Sequence, residues 1–230
     1  MSWWTDLSSF FFPRLCPICN RKMLAGEKGV CTLCLLDLPF TRLNDRAGNE
    51  MEQLFWGRFP IERATSLFFY AKGGDVARLI HAMKYRHRPA LCREMGRLMA
   101  SRLSGSRFFD GIDCLVPVPL HPDRFRQRGY NQSEQLAAGI SQLTGIPLCT
   151  TAIQRLYNNT TQTQKSGAER MQIDGQLFGL TPQAATLLAG KHILLTDDVL
   201  TTGSTLTACA DTLKHLPGLR ISILTLAWSK

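Results

Sequence analysis

No stretch of this 230-residue sequence stays apolar for more than about ten residues, half of what a bilayer-spanning helix needs. The opening residues carry no basic n-region and are interrupted by Asp6, so they do not read as a secretory signal. Two common nucleotide-binding signatures are also missing. There is neither a G-x-x-x-x-G-K-[ST] loop nor a G-x-G-x-x-G turn, which leaves P-loop and dinucleotide-binding readings without a footing. No internal repeat or low-complexity tract occurs, and a 44% hydrophobic content excludes a disordered or fibrous chain. Acidic residues are the scarce charge: 18 stand against 27 Lys and Arg, for a net +9. That balance favours an anionic partner such as nucleic acid, a phosphorylated metabolite or a membrane surface, or serves solubility alone. The expected location is the cytoplasm, with peripheral attachment to the inner membrane as an alternative.

What is present begins with cysteine. Four of eight cysteines fall within nineteen residues as Cys16-Pro-Ile-Cys19 and Cys31-Thr-Leu-Cys34, eleven residues apart. Each C-x-x-C pair can set two thiolates on one ion from a tight turn, and four thiolates close the tetrahedron of a structural Zn²⁺. Gly26 and Gly29 supply the bends that return the chain. An iron–sulfur cluster or two redox pairs are the competing readings. Cys92, Cys114, Cys149 and Cys209 are isolated and are expected to be small buried hydrophobes. Before the cysteines, Trp3, Trp4, Leu7, Phe10 and Phe11 share a helical face, which packs on the protein's own body or docks a membrane or partner.

Beyond a connector over residues 41–62, strands and helices alternate, which implies a mainly parallel sheet covered on both faces. A β-prone run spans Thr65 to Ala71, and helical spacing follows over Val76, Leu79, Ile80 and Met83. A second helix is expected from about Ala90 to Leu103, and a buried strand over Cys114 to Leu120. Asn131 and Glu134 form a capping-box-like start to a helix reaching Leu143. Residues 155–175 are polar and read as a long functional loop. A strand over Lys191–Thr196, a helix from Gly203 to about His215 and a strand over Ile221–Ala227 complete the pattern.

The most specific segment is His192-Ile-Leu-Leu-Thr-Asp197-Asp198-Val-Leu-Thr201-Thr202-Gly203-Ser204-Thr205. An apolar strand leads to two carboxylates, then to a hydroxyl- and glycine-rich turn that opens a helix. Free N–H groups and the positive dipole end at a helix start suit a phosphate. Gly203 permits close backbone approach, the hydroxyls of Thr201, Thr202, Ser204 and Thr205 can donate, and paired carboxylates can accept from vicinal sugar hydroxyls. A plain capped strand–helix turn is the bland alternative. Arg124 and Arg128, four apart, can share a helical face suited to phosphate oxygens or to solvent. Asn131 and Gln132 add neutral donors, and Lys84 is a further phosphate candidate or a surface residue.

This segment resembles the phosphoribosyl-diphosphate (PRPP) motif of type I phosphoribosyltransferases. The chain as a whole resembles the ComF family of competence-associated proteins. The resemblance covers Pro13 to Cys19, Met83-Lys84-Tyr85-Arg86, Val116-Pro-Val-Pro-Leu-His121, Arg124, and Arg128-Gly129-Tyr130-Asn131-Gln132. It continues through the segment holding Gln162 and Arg170, and departs at Ile173, where many members carry Asn. It implies an α/β type I phosphoribosyltransferase fold, with a mainly parallel twisted sheet flanked by helices over residues 45–230, and an N-terminal zinc knuckle over 1–44. Asp197 and Asp198 would contact ribose, residues 201–205 the 5-phosphate, and Val116 to Arg128 pyrophosphate, with Mg²⁺ bound alongside PRPP. No acceptor-base site is evident, and the cysteine-rich segment stands where such enzymes carry a hood over the acceptor. Two functions follow. One is a role in DNA uptake, with single-stranded DNA held in the groove and Tyr85 and Tyr130 stacking bases. The other is transfer of ribose 5-phosphate from PRPP to a nitrogen acceptor. A scaffold docked on a DNA-translocation motor at the inner membrane is a third.

Overall fold

The computed structural model describes residues 13–157 and 177–230. The N-terminal aromatic face, Gln162, Arg170, Ile173 and most of the expected 155–175 loop lie outside the described residues.

Four strands carry the fold: β1 (Arg63–Phe69), β2 (Cys114–Pro117), β5 (His192–Leu200) and β6 (Arg220–Trp228). They lie in the order β1-β6-β5-β2, and every neighbouring pair is parallel. Parallel neighbours need crossover connections that place helices on the faces, so such strands are apolar on both sides. β5 and β6 obey this. Leu194, Leu224 and Leu226 join one apolar cluster, whereas Ile193, Leu195, Ile221 and Ile223 join the other.

The first face is covered by α3 (Asp75–Tyr85), α4 (Pro89–Leu103) and α6 (Gln132–Thr144). Pro89 occupies the first turn of α4, where a missing N–H has no intrahelical partner to lose. α4 and α6 meet at two glycines: a Cβ on Gly96 would lie 2.0 Å from the Leu136 carbonyl, and one on Gly139 2.1 Å from that of Arg93. That close crossing fixes where α6 begins, and its first turn faces the cleft described below. The second face is covered by α7 (Ala184–Leu188), α8 (Ser204–Leu213) and the segment around α2 (Glu50–Gln53). The 41–62 connector is therefore corrected: Met51, Phe55 and Phe59 are buried core residues spaced four apart.

β3 (Ile153–Arg155) and β4 (Phe178–Leu180) form a separate antiparallel pair with Arg155 opposite Phe178. Arg155 thus belongs to a strand and not to the expected loop. α5 (Pro122–Arg128) carries the arginine cluster and ends on Gly129 in the left-handed region. Strand β5 runs four residues further than expected, through Leu200. Val199 and Leu200 remain paired with Ala227 and Trp228, so the two acids lie inside the strand. Among the described residues, no helix is long and apolar enough to cross a membrane.

The cysteine-rich segment is part of this body. Its buried residues Cys16, Ile18, Met23, Val30, Cys31, Cys34 and Leu38 share the apolar cluster of α3 and α4. Residues 39–41 then run beside β1, where Phe69 N donates to the Pro39 carbonyl (2.8 Å) and Thr41 N to that of Leu67 (3.1 Å).

Candidate functional site

The two C-x-x-C pairs converge. In the first, Cys16 N donates to the Arg21 carbonyl (2.9 Å) and Asn20 N to that of Cys16 (3.0 Å), closing a tight turn with Asn20 at positive φ. In the second, Cys31 precedes helix α1 (Thr32–Asp37), which carries Cys34. Gly26 and Gly29 both adopt positive φ, and a Cβ on Gly29 would strike Met95 of α4 at 2.5 Å. The four sulfurs all lie within 4.8 Å of one another, and none is in a disulfide. Cys19 and Cys31 Sγ are 3.7 Å apart, close to the ~3.8 Å edge of a tetrahedron with metal–sulfur bonds of about 2.3 Å. Burial opposes ionisation of Cys16, but backbone donors from Cys31, Cys19 and Ile18 outweigh it and bring the thiol to about 7. A soft, closed four-thiol set of this size fits a metal ion.

The second site lies where β5 and the segment after β2 face the first turn of α6. Lys84, Arg124, Arg128, Asn131, Gln132, Asp197, Asp198, Thr201 and Thr205 line one cleft of about 370 Å³. Thr202, Gly203 and Ser204 are outside its wall. Gly203 has φ +78° and packs its α-carbon against the Phe55 ring, which a Cβ would meet at 3.2 Å. Its glycine character thus serves the start of α8 as well as any ligand. Thr202 Oγ1 accepts from Ser204 N at 3.4 Å, which ties the turn together.

The two acids are held by different elements. Lys84 Nζ of α3 is 3.0 Å from Asp198 Oδ2. Asp197 Oδ1 accepts from the Ser133 hydroxyl of α6 (2.7 Å) and from Asp198 N (2.8 Å). Burial, then the charge of Asp198, pushes the Asp197 carboxyl up to about 6 despite those donors. Arg155 reaches the cleft from β3, with its guanidinium 5.3 Å from the Phe178 ring centre. Burial first, then the charge of Arg124, lowers its pKa.

Two expected donors behave differently from one another. Asn131 commits most of its amide to the fold: its Oδ1 caps Ser133 N (3.1 Å) and one Nδ2 hydrogen goes to the Val118 carbonyl (3.0 Å). Gln132 accepts from Arg128 Nη1 (3.0 Å), while its Nε2 and Arg128 Nε have no partner among the described residues. Gln132 is 2% exposed, so that N–H is buried at the cleft wall. Tyr130 is corrected as a stacking aromatic. It is buried, and its hydroxyl donates to the Met83 carbonyl. No described residue of the cysteine-rich segment lines the cleft.

The phosphoribosyl transferase domain family matches residues 127–229, which span α6 to β6 and so include β5 with both acids. The DNA utilization protein YhgH of Escherichia coli (strain K12) is 27% identical over 216 residues, 87% of this chain and 91% of its own. Competence protein F of Haemophilus influenzae is 28% identical over 232 residues, covering 94% of this chain and 98% of that one. Competence protein ComFC of Bacillus subtilis (strain 168) is 36% identical over 192 residues, 84% of this chain and 68% of that one. This chain belongs to the ComF family. Its parallel sheet and phosphoribosyl transferase domain give it the type I phosphoribosyltransferase fold, with a four-cysteine cluster near the N-terminus able to take a metal.

Within this ComF protein, Ser133 and Arg155 are among the cleft residues that sequence reasoning missed. Ser133 had a visible signal, since it sits two residues beyond the capping Asn131. Arg155 had none, because β3 is three residues long and its pairing partner is more than twenty residues away.

Proposed function

We propose that this ComF protein acts in the uptake and handling of external DNA, and that its cleft holds a sugar phosphate, either of single-stranded DNA or of PRPP. The observation that carries the reading is the gathering of Lys84, Arg124, Arg128 and Arg155 around one cleft beside the first turn of α8. Guanidinium groups match phosphate oxygens in a planar fork, and a helix start adds N–H donors. The +9 net charge extends the same attraction to a polyanion. The names of the E. coli, H. influenzae and B. subtilis relatives point to DNA utilization and competence.

The acid pair favours a second reading, an active phosphoribosyltransferase. Internal nucleotides of DNA have no free sugar hydroxyl, whereas PRPP offers two to Asp197 and Asp198. In that reading Mg²⁺ would arrive with the diphosphate and neutralise its charge, and Asp197 and Asp198 are the residues that would face it. A nitrogen nucleophile would then replace pyrophosphate at the anomeric carbon. In either reading the four-cysteine centre is structural Zn²⁺: four thiolate ligands leave no open coordination position, and its burial against α4 makes metal binding part of folding.

Calorimetric titration of the metal-loaded protein tests the reading. PRPP with Mg²⁺ and a short single-stranded oligonucleotide are each titrated at two salt concentrations. Salt-sensitive oligonucleotide binding supports the DNA role, whereas tight PRPP binding without DNA affinity supports the transferase. Binding of neither contradicts both.

A further inference from the structure

Outside the cleft, and touching it through one residue, lies a ledge of three planar groups. His81 and Tyr85 sit one helical turn apart on α3, with ring centroids 4.8 Å apart and planes inclined by 44°. The Arg128 guanidinium lies 5.5 Å from the Tyr85 ring centre. Tyr85 is 54% exposed, although a large aromatic ring usually buries more of itself. His81 is exposed as well. The rows i and i+4 on α3 explain the adjacency. Ile80 and Lys84 face the cleft, and His81 and Tyr85 are the next residue round the helix from each.

Arg128 joins the ledge to the cleft. It lines the cleft, is bonded to the buried Gln132, and carries its cation to the Tyr85 face. A phosphate held at Arg128 therefore has a half-exposed aromatic ring directly beside it. PRPP has no base to use such a surface, but a nucleotide does. Past Tyr85 the chain continues through exposed Arg86 and His87, so the ledge leads onto basic surface of the sign a phosphate backbone needs.

We propose that the His81–Tyr85–Arg128 ledge is a nucleobase-stacking subsite, on which the base of a nucleotide rests when its phosphate occupies the cleft. The subsite deepens the DNA reading and rests on it. Stacking on an aromatic ring tolerates any base, so the ledge gives affinity for single strands without sequence preference. It also separates a DNA ligand from a base-free sugar phosphate.

The test compares a single-stranded oligonucleotide with an abasic one of equal length, by fluorescence anisotropy at one salt concentration, in the metal-loaded full chain. Wild type is expected to bind the base-bearing strand about tenfold more tightly. Tyr85→Ala is expected to erase that preference, bringing base-bearing binding down to the abasic level, whereas Tyr85→Phe keeps it. Because Tyr85 is exposed, its removal leaves the core packing in place, which an unchanged thermal midpoint verifies. Equal binding of both strands by wild type, or an undiminished preference in Tyr85→Ala, overturns the stacking subsite while leaving the backbone reading intact. Failure of wild type to bind either strand overturns both.

Discussion

Lys84 of α3 and Asp198 of β5 form an ion pair at 3.0 Å, with side-chain exposures of 23% and 12%. It joins a helix on the first face to the strand that carries both acids. Two partly dehydrated charges depend on one another, and removing one leaves the other without compensation. Lys84→Met is expected to destabilise the fold by about 1–3 kcal/mol. Adding Asp198→Asn should recover most of that loss, because the orphaned charge goes too. Urea unfolding of both single variants and the double variant closes the cycle. Strictly additive effects would show that the pair does not couple.

Asp197 gives a pH signature. Its carboxyl titrates near 6 in the folded protein, against about 3.9 in an unfolded chain. Between those values the folded state keeps a proton that the unfolded chain has released. This group therefore makes stability fall as pH rises from about 4 to about 6, with the full penalty present above that window. Asp197→Asn retains an acceptor for Ser133 and removes the charge. It is expected to stabilise the protein by roughly 1–2 kcal/mol at pH 7, discounted for the water-open cleft, and to do little at pH 4. Denaturant unfolding at both pH values checks this, and an equal change at both contradicts it.

Much of this was legible in the chain. Two C-x-x-C pairs announce a four-sulfur cluster because the requirement is local. The run from His192 to Thr205 announces a strand, acids and a phosphate-type turn for the same reason. What could not be read depends on contacts distant in sequence. Leu200 is held in β5 by its pairing with the Trp228 end of β6. Tyr130 looked like a free aromatic, yet Met83 holds its hydroxyl, 47 residues away. One N–H and the Oδ1 of the Asn131 amide are committed to Val118 and Ser133, so at most one N–H is left for a ligand. Met51, Phe55 and Phe59 did carry a legible signal, an apolar repeat of four, but the short α2 and the turns around them obscured it.

The α4–α6 crossing is expected to be the least tolerant point of the scaffold. Gly96→Ala or Gly139→Ala drives a methyl group into a backbone carbonyl that has no rotamer to yield. Each should cost about 3 kcal/mol or more, at the upper end for overpacking. Because α6 carries Gln132 and Ser133 into the cleft, PRPP or oligonucleotide affinity should fall as well. Thermal unfolding with a ligand titration measures both, and a change below about 1 kcal/mol would contradict the crossing.

Metal loss should propagate inward from the knuckle. Cys16 is fully buried and shares the apolar cluster of α4. Cys16→Ser is expected to bring bound metal well below one ion per chain and to lower the thermal midpoint. A strong chelator should do the same to wild type. Elemental analysis with a melting scan decides, and unchanged metal content in the variant would sink the site.

One cleft is the proposed site for either phosphate ligand, so DNA and PRPP cannot occupy it together. The direct measurement is displacement of a labelled single-stranded oligonucleotide by PRPP and Mg²⁺ at constant ionic strength, read by anisotropy. Complete displacement at PRPP concentrations well above its own dissociation constant, with both ligands weakened in Arg124→Ala with Arg128→Ala, is the predicted result. An oligonucleotide that stays bound while PRPP saturates the protein would place DNA elsewhere and contradict the account.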